Sequence, residues 1–218
     1  MNEFDLYLDF ESMGYPPEGA IINLAAIAFL NDPYNPPHFL DLVDSAFFVK
    51  FDIKAQKGQR VFDAGVIDFW KEKASPEARL QLKPSADDIL VNEGLDKFLD
   101  YCKMSGINQR WSQLWTRGNA FDLPLLVDMI RRRYQTRETF DLEPVRFWNI
   151  RDTRTAIEST LLTRGMCSCP LPKGVLDGFI HHNAVHDCAK DIMMLIYAKR
   201  YAMGLEELPT DPDPITVR

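Results

Sequence analysis

Two N-terminal segments with contrasting patterns constrain the fold of this chain most strongly. Residues 4–10 (FDLYLDF) alternate apolar and acidic side chains, and residues 21–30 (IINLAAIAFL) form a nearly continuous apolar run. Alternation is typical of a strand with one polar face, and a short apolar run bounded by turn residues is typical of a buried strand. Because two glycines and two prolines lie between the segments, the pattern predicts a strand, a turn and a second, buried strand.

The remaining elements are predicted to be mainly helical. Residues 46–53 (AFFVKFDI) have strand composition, so the chain would begin with a meander of three strands. Spacing, caps and breakers then predict helices over 66–73, 85–104, 122–133, part of 145–162 and 183–203, with a short strand at 113–116. Ser85 is the predicted N-cap of the second helix, and Gly106 its stop. This order favours an α/β fold with a central mixed β-sheet flanked by α-helices.

Length and composition indicate one hydrophobic core. The chain has 218 residues, of which 46% are hydrophobic, and a chain of this size buries one sizeable core. We predict a single domain over 1–204 and a loosely ordered C-terminal tail over 205–218. No apolar run is long enough for a membrane span, and the N-terminus lacks an export pattern. The absence of Cys-x-x-Cys spacing also favours a reducing cytoplasm, although Cys167 and Cys169 could form half of a zinc site.

The net charge of -7 argues against broad electrostatic capture of nucleic acid, which needs a basic surplus. An acidic chain can still act on a polyanion if clustered carboxylates recruit Mg²⁺ or Mn²⁺, because the cations supply the positive charge. The charge balance is therefore compatible with a metal-dependent enzyme that grips its substrate locally.

Asp9 and Glu11 are the first candidate metal ligands. Two residues apart in a predicted strand, they point to one face of the sheet, where two carboxylates repel each other unless cations lie between them. The chain contains one other Asp-x-Glu, at Asp141 and Glu143, but that pair precedes a proline in a charged connecting region. The first pair ends an apolar strand, so its context favours it.

Two further aspartates lie at predicted helix starts. Asp122 lies at a strand-to-helix junction and could act simply as an N-cap, and Asp187 could simply favour the helix dipole in a first turn. Two pairs match the spacing His-x4-Asp, namely His182 with Asp187 and His186 with Asp191. Spacing alone does not choose between them, and the histidines at 181, 182 and 186 could instead form a transition-metal site.

Residues 182–188 (HNAVHDC) resemble the third motif of the DEDD 3′-5′ exonucleases, in the DEDDh variant that carries a histidine. The segments DFESMG at 9–14 and RGNAFDLPLLVD at 117–128 extend the resemblance to bacteriophage members of that superfamily. The resemblance implies a ribonuclease H-like fold. One departure is that many members have asparagine four residues before the middle aspartate, where this chain has Gly118, with Asn119 one residue later.

The resemblance also implies the roles of the candidate residues. Asp9 would bridge two divalent cations, Mg²⁺ or Mn²⁺, with Glu11 and Asp187 completing one site and Asp122 holding the second. His182 would be the general base that takes a proton from the attacking water, since histidine changes protonation near neutral pH. All five are therefore predicted catalytic residues.

Four residues are predicted to contact the substrate. Ser12 and Met13 fall where relatives hold the terminal nucleotide, and Arg117 and Lys173 lie in predicted loops near the motifs, where they could contact phosphates. The basic run 131–133 is a weaker candidate, because such a run in the last turn of a helix is commonly solvated surface.

The resulting functional prediction is an exodeoxyribonuclease. It would hydrolyse single-stranded DNA from the 3′ end, release 5′-mononucleotides and reside in the cytoplasm of a phage-infected host. The predicted partners are single-stranded nucleic acid 3′ ends, and no membrane or protein partner is predicted. The alternatives are a 3′-5′ exoribonuclease, since the same carboxylates serve RNA, and an inactive nucleic-acid-binding module of the same fold.

Overall fold

A five-stranded sheet forms the centre of the molecule in the computed structural model, which describes residues 3–165 and 167–216. The strands are β1 (Asp5–Ser12), β2 (Ile21–Phe29), β3 (Phe47–Lys50), β4 (Leu114–Thr116) and β5 (Ile150–Asp152). They lie in the order β3-β2-β1-β4-β5. Pairing is antiparallel between β1 and β2 and between β2 and β3, but parallel between β1 and β4 and between β4 and β5. The predicted mixed sheet is confirmed.

Helices cover both faces of this sheet. They are α1 (Phe39–Asp44), α2 (Ala64–Glu72), α3 (Pro76–Arg79), α4 (Val91–Met104), α5 (Asp122–Tyr134), α6 (Thr153–Leu161) and α7 (Ala184–Ala202). Helices α4 and α5 pack on one face and α6 and α7 on the other, each through a buried apolar stripe. In the part of the chain that the structure describes, no helix is both long enough and apolar enough to cross a bilayer.

The helix predicted over 85–104 is shorter than its sequence pattern suggests. It begins at Val91, and Ser85 is not its N-cap. The Ser85 hydroxyl accepts the N–H of Asp87 instead, and the Asp88 carboxylate accepts the N–H of Ser85. Such local side-chain bonds compete with a helix. The predicted stop is confirmed, since Gly106 follows the helix with a φ of 76°, a left-handed conformation that favours glycine.

Strand β1 divides its side chains between the two layers. Leu6, Leu8 and Phe10 point into the core beneath α4 and α5, whereas Tyr7 packs with α7. Because side chains alternate along a strand, Asp9 and Glu11 share the face of Tyr7. The first Asp-x-Glu pair is thus presented towards the N-terminal end of α7.

The turn after β1 is closed by tight backbone contacts. The N–H of Met13 donates to the carbonyl of Ala20 (2.7 Å), and the carbonyl of Met13 accepts the N–H of Asp63 (3.0 Å). The indole of Trp70 donates to the carbonyl of Ser12 at 2.8 Å. A Cβ atom added at Gly14 would lie 2.3 Å from the carbonyl oxygen of Val61. The end of β1 is therefore held from two sides.

The described part of the C-terminal segment contacts the loop that precedes α7. The N–H of Asp213 donates to the carbonyl of Leu171 (2.8 Å), and the Thr216 hydroxyl accepts the N–H of Leu171 (3.1 Å). Thr216 is buried. The predicted bounds of the domain, 1–204, and the predicted loose order of the tail, 205–218, stay predictions.

We expect Gly14→Ala to lower the free energy of unfolding by about 1 to 3 kcal/mol, because the new methyl group meets backbone that cannot move aside cheaply. Gly65→Ala is the matched control, since the nearest atom to its added Cβ, the Tyr15 hydroxyl, lies 3.9 Å away. That helical substitution should change stability by less than about 1 kcal/mol. Urea denaturation measures both variants, and equal effects would contradict the backbone clash.

Candidate active site

A cavity of about 470 Å³ opens where β1 ends and where α5 and α7 begin. Acidic side chains dominate its lining, with contributions from three elements: Asp9, Glu11, Asp122, Asp187 and Asp191. The basic side chains that the structure places in the same lining are those of Arg117, Arg154, Lys190, His181 and His182. The four predicted carboxylates and the predicted histidine therefore meet in one cavity.

Strand β1 supplies the first pair of carboxylates. Asp9 lies opposite Ala25 of β2 and Glu11 opposite Asn23, and the pairing becomes irregular between Glu11 and Ser12. Both carboxylates are half-buried. The small side chain of Ala25 takes little of the space between the sheet and α7.

Asp122 is the first residue of α5, and its neighbour Phe121 occupies the N-cap position. Its carboxylate accepts the N–H of Phe10 at 3.2 Å and is 4% exposed. The side chain therefore links the start of α5 to β1. A simple N-cap is not its role, because no side chain caps this helix.

Helix α7 is capped by Asn183, whose side-chain oxygen accepts the N–H groups of Val185 (3.1 Å) and His186 (3.3 Å). This cap fixes the first turn, and the turn directs Asp187 into the cavity. The ammonium group of Lys190 donates to Asp187 at 2.6 Å. Lys190 also lies over the ring of Phe179, 4.8 Å from its centroid.

The backbone of His182 holds its side chain in the cavity. It has a φ of 57°, which costs about 1 kcal/mol or more for a residue other than glycine. Its carbonyl accepts a hydrogen bond from Gln81 (2.7 Å), and its ring meets that of Phe69 edge-on at 5.1 Å. Ligand atoms of Glu11, His182 and Asp187 lie within 4.8 Å of one another.

His186 has a different environment. Its Nδ1 accepts the N–H of Ile180 at 3.1 Å, and its ring contacts that of Phe39 edge-on at 5.6 Å. Burial lowers the pKa of His186, although the neighbouring Asp187 opposes the shift. His186 thus packs against α1. Asp191, the aspartate of the same His-x4-Asp pair, lines the cavity instead.

This placement also bears on the two alternative metal sites. Within the described ranges, the one group of three or more potential ligands in close reach is Glu11, His182 and Asp187. Neither His186 nor the cysteines at 167 and 169 belong to it. Burial raises the pKa of the Cys169 thiol to about 12, which disfavours the thiolate that zinc requires.

Burial and mutual repulsion raise the pKa values of the carboxyl groups in the cavity. Burial raises the pKa of Asp9 well above its usual range, and the nearby Asp122 and Glu11 add to the shift. Burial and Asp187 do the same to the pKa of Glu11. Burial also raises the pKa of Asp122 to about 7, although its bond from Phe10 opposes the change.

The donor chemistry fits divalent cations. Several carboxylate oxygens converge with incomplete compensation, and hard cations such as Mg²⁺ and Mn²⁺ prefer oxygen ligands of this kind. Burial lowers the pKa of Lys190, but Asp191 and Asp187 raise it by more, so this ammonium group stays charged beside the cluster. With Arg117 and Arg154, the cavity lining has three such positive charges against five carboxylates, so the compensation is incomplete.

The predicted substrate residues differ in where they lie. Arg117 lines the cavity, but its guanidinium bonds Asp191 (2.7 Å) and the Ser168 hydroxyl (2.9 Å). Lys173 is 57% exposed, pairs with Asp211, and is not among the cavity-lining residues that the structure describes.

Ser12 lines an adjoining groove of about 370 Å³ that shares Glu11 with the cavity and includes Phe69. Its hydroxyl donates to the carbonyl of Gly14 at 2.8 Å. Met13 is half-buried and packs against the cluster around Trp70. The predicted pair therefore lies beside the carboxylates.

The structure also adds residues that sequence reasoning missed. In the sequence, Asp191 stood out only as the aspartate of the second His-x4-Asp pair. No sequence motif marked Arg154 or Phe69 as a site residue. Arg154 comes from α6 and donates to the carbonyl of Arg117. Asn119 accepts a hydrogen bond from Thr116 at 2.9 Å.

The basic run 131–133 lies at the opposite end of α5 from Asp122. Arg132 pairs with Asp128 at 2.7 Å and Arg133 with Asp96 at 2.9 Å. These two arginines are therefore engaged by acidic neighbours at the surface.

Comparison with known proteins shows that this chain is similar to nucleases. Residues 4–198 match the family model described as the 3′-5′ exoribonuclease Rv2179c-like domain. The exodeoxyribonuclease of Enterobacteria phage T4 is 48% identical over 223 residues, which cover 98% of each chain.

Two solved structures share the fold at low sequence identity. The 3′-exonuclease solved for 3′-end specific recognition of the histone mRNA stem-loop is 12% identical, with a TM-score of 0.55 over 100% of this chain and 75% of that one. The zinc-bound E. coli ExoI–ssDNA complex is 15% identical, with a TM-score of 0.52 over 95% of this chain and 42% of that one. The predicted ribonuclease H-like α/β fold is confirmed.

The raised carboxylate pKa values predict an unusual pH dependence of the metal-free protein. A carboxyl whose pKa is raised on folding binds its proton more tightly in the folded state, so its contribution to stability is present at low pH and is lost as pH rises through the folded pKa. For Asp122 that pKa is about 7. We expect Asp122→Asn to remove part of the fall in unfolding free energy between about pH 5 and about pH 8.

Urea denaturation of wild type and Asp122→Asn after chelation and dialysis measures this difference. Added Mn²⁺ should reduce the fall in wild type, because cations favour the ionised carboxylates. An identical pH dependence in the two metal-free proteins would contradict the predicted titration.

Proposed function

The chain belongs to the 3′-5′ exoribonuclease Rv2179c-like family and is a 3′-5′ exonuclease, and from that premise we propose that it removes 5′-mononucleotides from the 3′ end of single-stranded DNA. The observation that carries the proposal is the convergence of the four predicted carboxylates and His182 on one cavity. DNA is favoured because the relative with 48% identity over nearly the whole chain is an exodeoxyribonuclease. The family description favours RNA, so an exoribonuclease is the second candidate.

The protein side chains would divide the work of hydrolysis. Asp9, Glu11, Asp122 and Asp187 would hold two divalent cations, Mg²⁺ or Mn²⁺. When bound, such cations activate water and stabilise the negative charge that develops on the leaving 3′ oxygen. His182 would accept the proton of the attacking water, since its ring nitrogen lies within 4.8 Å of ligand oxygens of Glu11 and Asp187.

The groove beside the cavity would receive the terminal nucleotide. Its aromatic wall includes Phe69 and Tyr15, and aromatic rings hold unpaired bases by stacking. The hydroxyl of Ser12 and both main-chain groups of Met13 already have partners inside the protein. Because Ser12 is also buried, we assign the contact with the terminal nucleotide to the half-buried side chain of Met13, with Ser12 supporting the wall of the groove.

Phosphate contacts would come mainly from the cavity rim. The guanidinium of Arg117 is engaged by Asp191 and Ser168, whereas the exposed side chain of Arg154 reaches the rim from α6. Arg154 is thus better placed for a backbone phosphate than Lys173. The predicted location, the cytoplasm of a phage-infected host, stays a prediction.

We expect Asp9→Ala to reduce hydrolysis of a 5′-labelled single-stranded DNA oligonucleotide on the order of a hundredfold or more, because a cation ligand is lost. Asp141→Ala is the matched control. Asp141 is the first residue of the other Asp-x-Glu pair. Its side chain is largely exposed and accepts a hydrogen bond from Arg146. Gel electrophoresis in Mg²⁺ or Mn²⁺ should show a ladder that shortens from the 3′ end with wild type and the control.

A matched RNA oligonucleotide tests the choice of substrate. Equal or faster decay of RNA would move the assignment to an exoribonuclease. The enzyme proposal itself fails if Asp9→Ala retains the wild-type rate, and absence of hydrolysis by wild type would favour an inactive binding module.

We expect His182→Ala to lower kcat by about 10² to 10⁴-fold, because the proposed general base is removed. His186→Ala should keep a kcat close to wild type and instead lower the melting temperature, since it deletes the contact with Phe39 and the bond from Ile180. Single-turnover kinetics and thermal denaturation of both variants measure the difference. The opposite result would move the base to His186.

A further inference from the structure

A fifth carboxylate, that of Asp191, lies at the base of the cavity and has no part in the proposed hydrolysis. Its side chain is 2% exposed. A buried carboxylate is costly unless it is paired and hydrogen-bonded. The hydrogen-bond partners of Asp191 therefore indicate what its carboxylate does.

Both oxygens of Asp191 are engaged by protein groups. Oδ1 accepts a hydrogen bond from Arg117 at 2.7 Å, and Oδ2 accepts one from the Tyr7 hydroxyl at 2.9 Å. Because Tyr7 uses its proton in this bond, the Thr153 hydroxyl, 2.8 Å away, donates to Tyr7. The carboxylate is thus held by partners from two other parts of the chain.

These partners belong to the segments that carry the four cation ligands. Tyr7 lies in β1 two residues before Asp9, and Arg117 lies in the connection from β4 to Asp122. Asp191 itself is one turn beyond Asp187 in α7. One buried side chain therefore joins the three segments that must meet for the cavity to form.

The ion pair reaches a fourth segment as well. Arg117 donates to the Ser168 hydroxyl at 2.9 Å and to the carbonyl of Cys167 at 3.3 Å. These residues belong to the loop between α6 and α7, which leads to His182. The guanidinium thereby connects the loop before the proposed base to the strand end before Asp122.

We infer that Asp191 and Arg117 form a positioning pair that sets the spacing of the cation ligands, without binding a cation or touching substrate. The inference rests on the proposed two-cation function. Since the ligands repel one another, their spacing depends on what holds β1, α5 and α7 together. The Asp191–Arg117 pair, with Tyr7, joins all three at the site.

The test is Mn²⁺ binding to metal-free protein, measured by calorimetry and by the electron paramagnetic resonance of free Mn²⁺. Asp191→Asn and Arg117→Gln should each weaken Mn²⁺ binding by about tenfold, a typical cost of losing a residue that orients metal ligands. The number of bound Mn²⁺ ions should be unchanged. The double variant should be no weaker than about the worse single variant, because the two residues act as one unit.

Asp128→Asn is the matched control. Like Asp191, Asp128 is an aspartate with little exposure that pairs with arginine, here Arg60 (3.1 Å) and Arg132 (2.7 Å). Unlike Asp191, it is not among the described residues that line the cavity. We expect its Mn²⁺ affinity to match wild type. Tyr7→Phe, which deletes the two hydrogen bonds of the hydroxyl with Asp191 and Thr153 and keeps the packing of the ring, provides a milder variant if Asp191→Asn does not fold, and it should weaken Mn²⁺ binding severalfold.

Three results would overturn the inference. Asp191→Asn, or Tyr7→Phe in its place, could lower the melting temperature with unchanged Mn²⁺ affinity, which would make the role purely structural. Asp128→Asn could weaken Mn²⁺ binding as much as Asp191→Asn does. A loss of one bound Mn²⁺ in Asp191→Asn would make Asp191 a ligand. Because no substrate is present, these results are separate from any failure of DNA hydrolysis.

Discussion

Repulsion among carboxylates is the constraint on which the rest of the site depends. Five of them line one cavity, and two like charges about 4 Å apart near a protein surface repel by about 4 kcal/mol. A domain is stable by only about 5 to 15 kcal/mol in total. Without cations the cluster would therefore consume much of the stability of the fold, so the packing around it must be strong and the carboxylates must partly retain their protons.

The surrounding layers provide that packing. Helix α7 buries nine apolar side chains, and the strand next to the cluster, β2, is almost wholly buried. The polar restraints are the Asn183 cap at the start of α7, the bond from Phe10 in β1 to Asp122 in α5, and the bonds of Asp191. Apolar burial supplies the free energy, while the polar contacts determine where each carboxylate stands.

Patterns of short range explain what could be predicted from the sequence. Alternation in β1 places Asp9 and Glu11 on one face, and the apolar stripe of α7 directs Asp187 towards them. The choice of His182 over His186 depended on resemblance, because equal spacing from an aspartate says nothing about which ring faces a cavity. The structure separates them through the left-handed backbone of His182 and the contacts of His186 with Phe39 and Ile180.

Contacts between distant segments explain what could not be predicted. Asp191 meets Arg117 and Tyr7 across 74 and 184 positions of sequence, and one sequence gives no signal for such pairs. Ser85 appeared to be a helix cap, but local bonds to Asp87 and Asp88 delay the helix to Val91. Lys173 appeared close to the site because its loop leads to the third motif, yet its side chain points to Asp211.

The residues that line the cavity are far apart in the sequence, from Asp9 in the first strand to Ile215 in a short C-terminal helical turn. Synthesis proceeds from the N-terminus, so a ribosome that has completed α5 has made Asp9, Glu11 and Asp122 without Asp187 or the closing wall. The set of proposed cation ligands is therefore assembled only after α7 has been made. A chain that stops before α7 lacks Asp187, and with it one of the four proposed cation ligands.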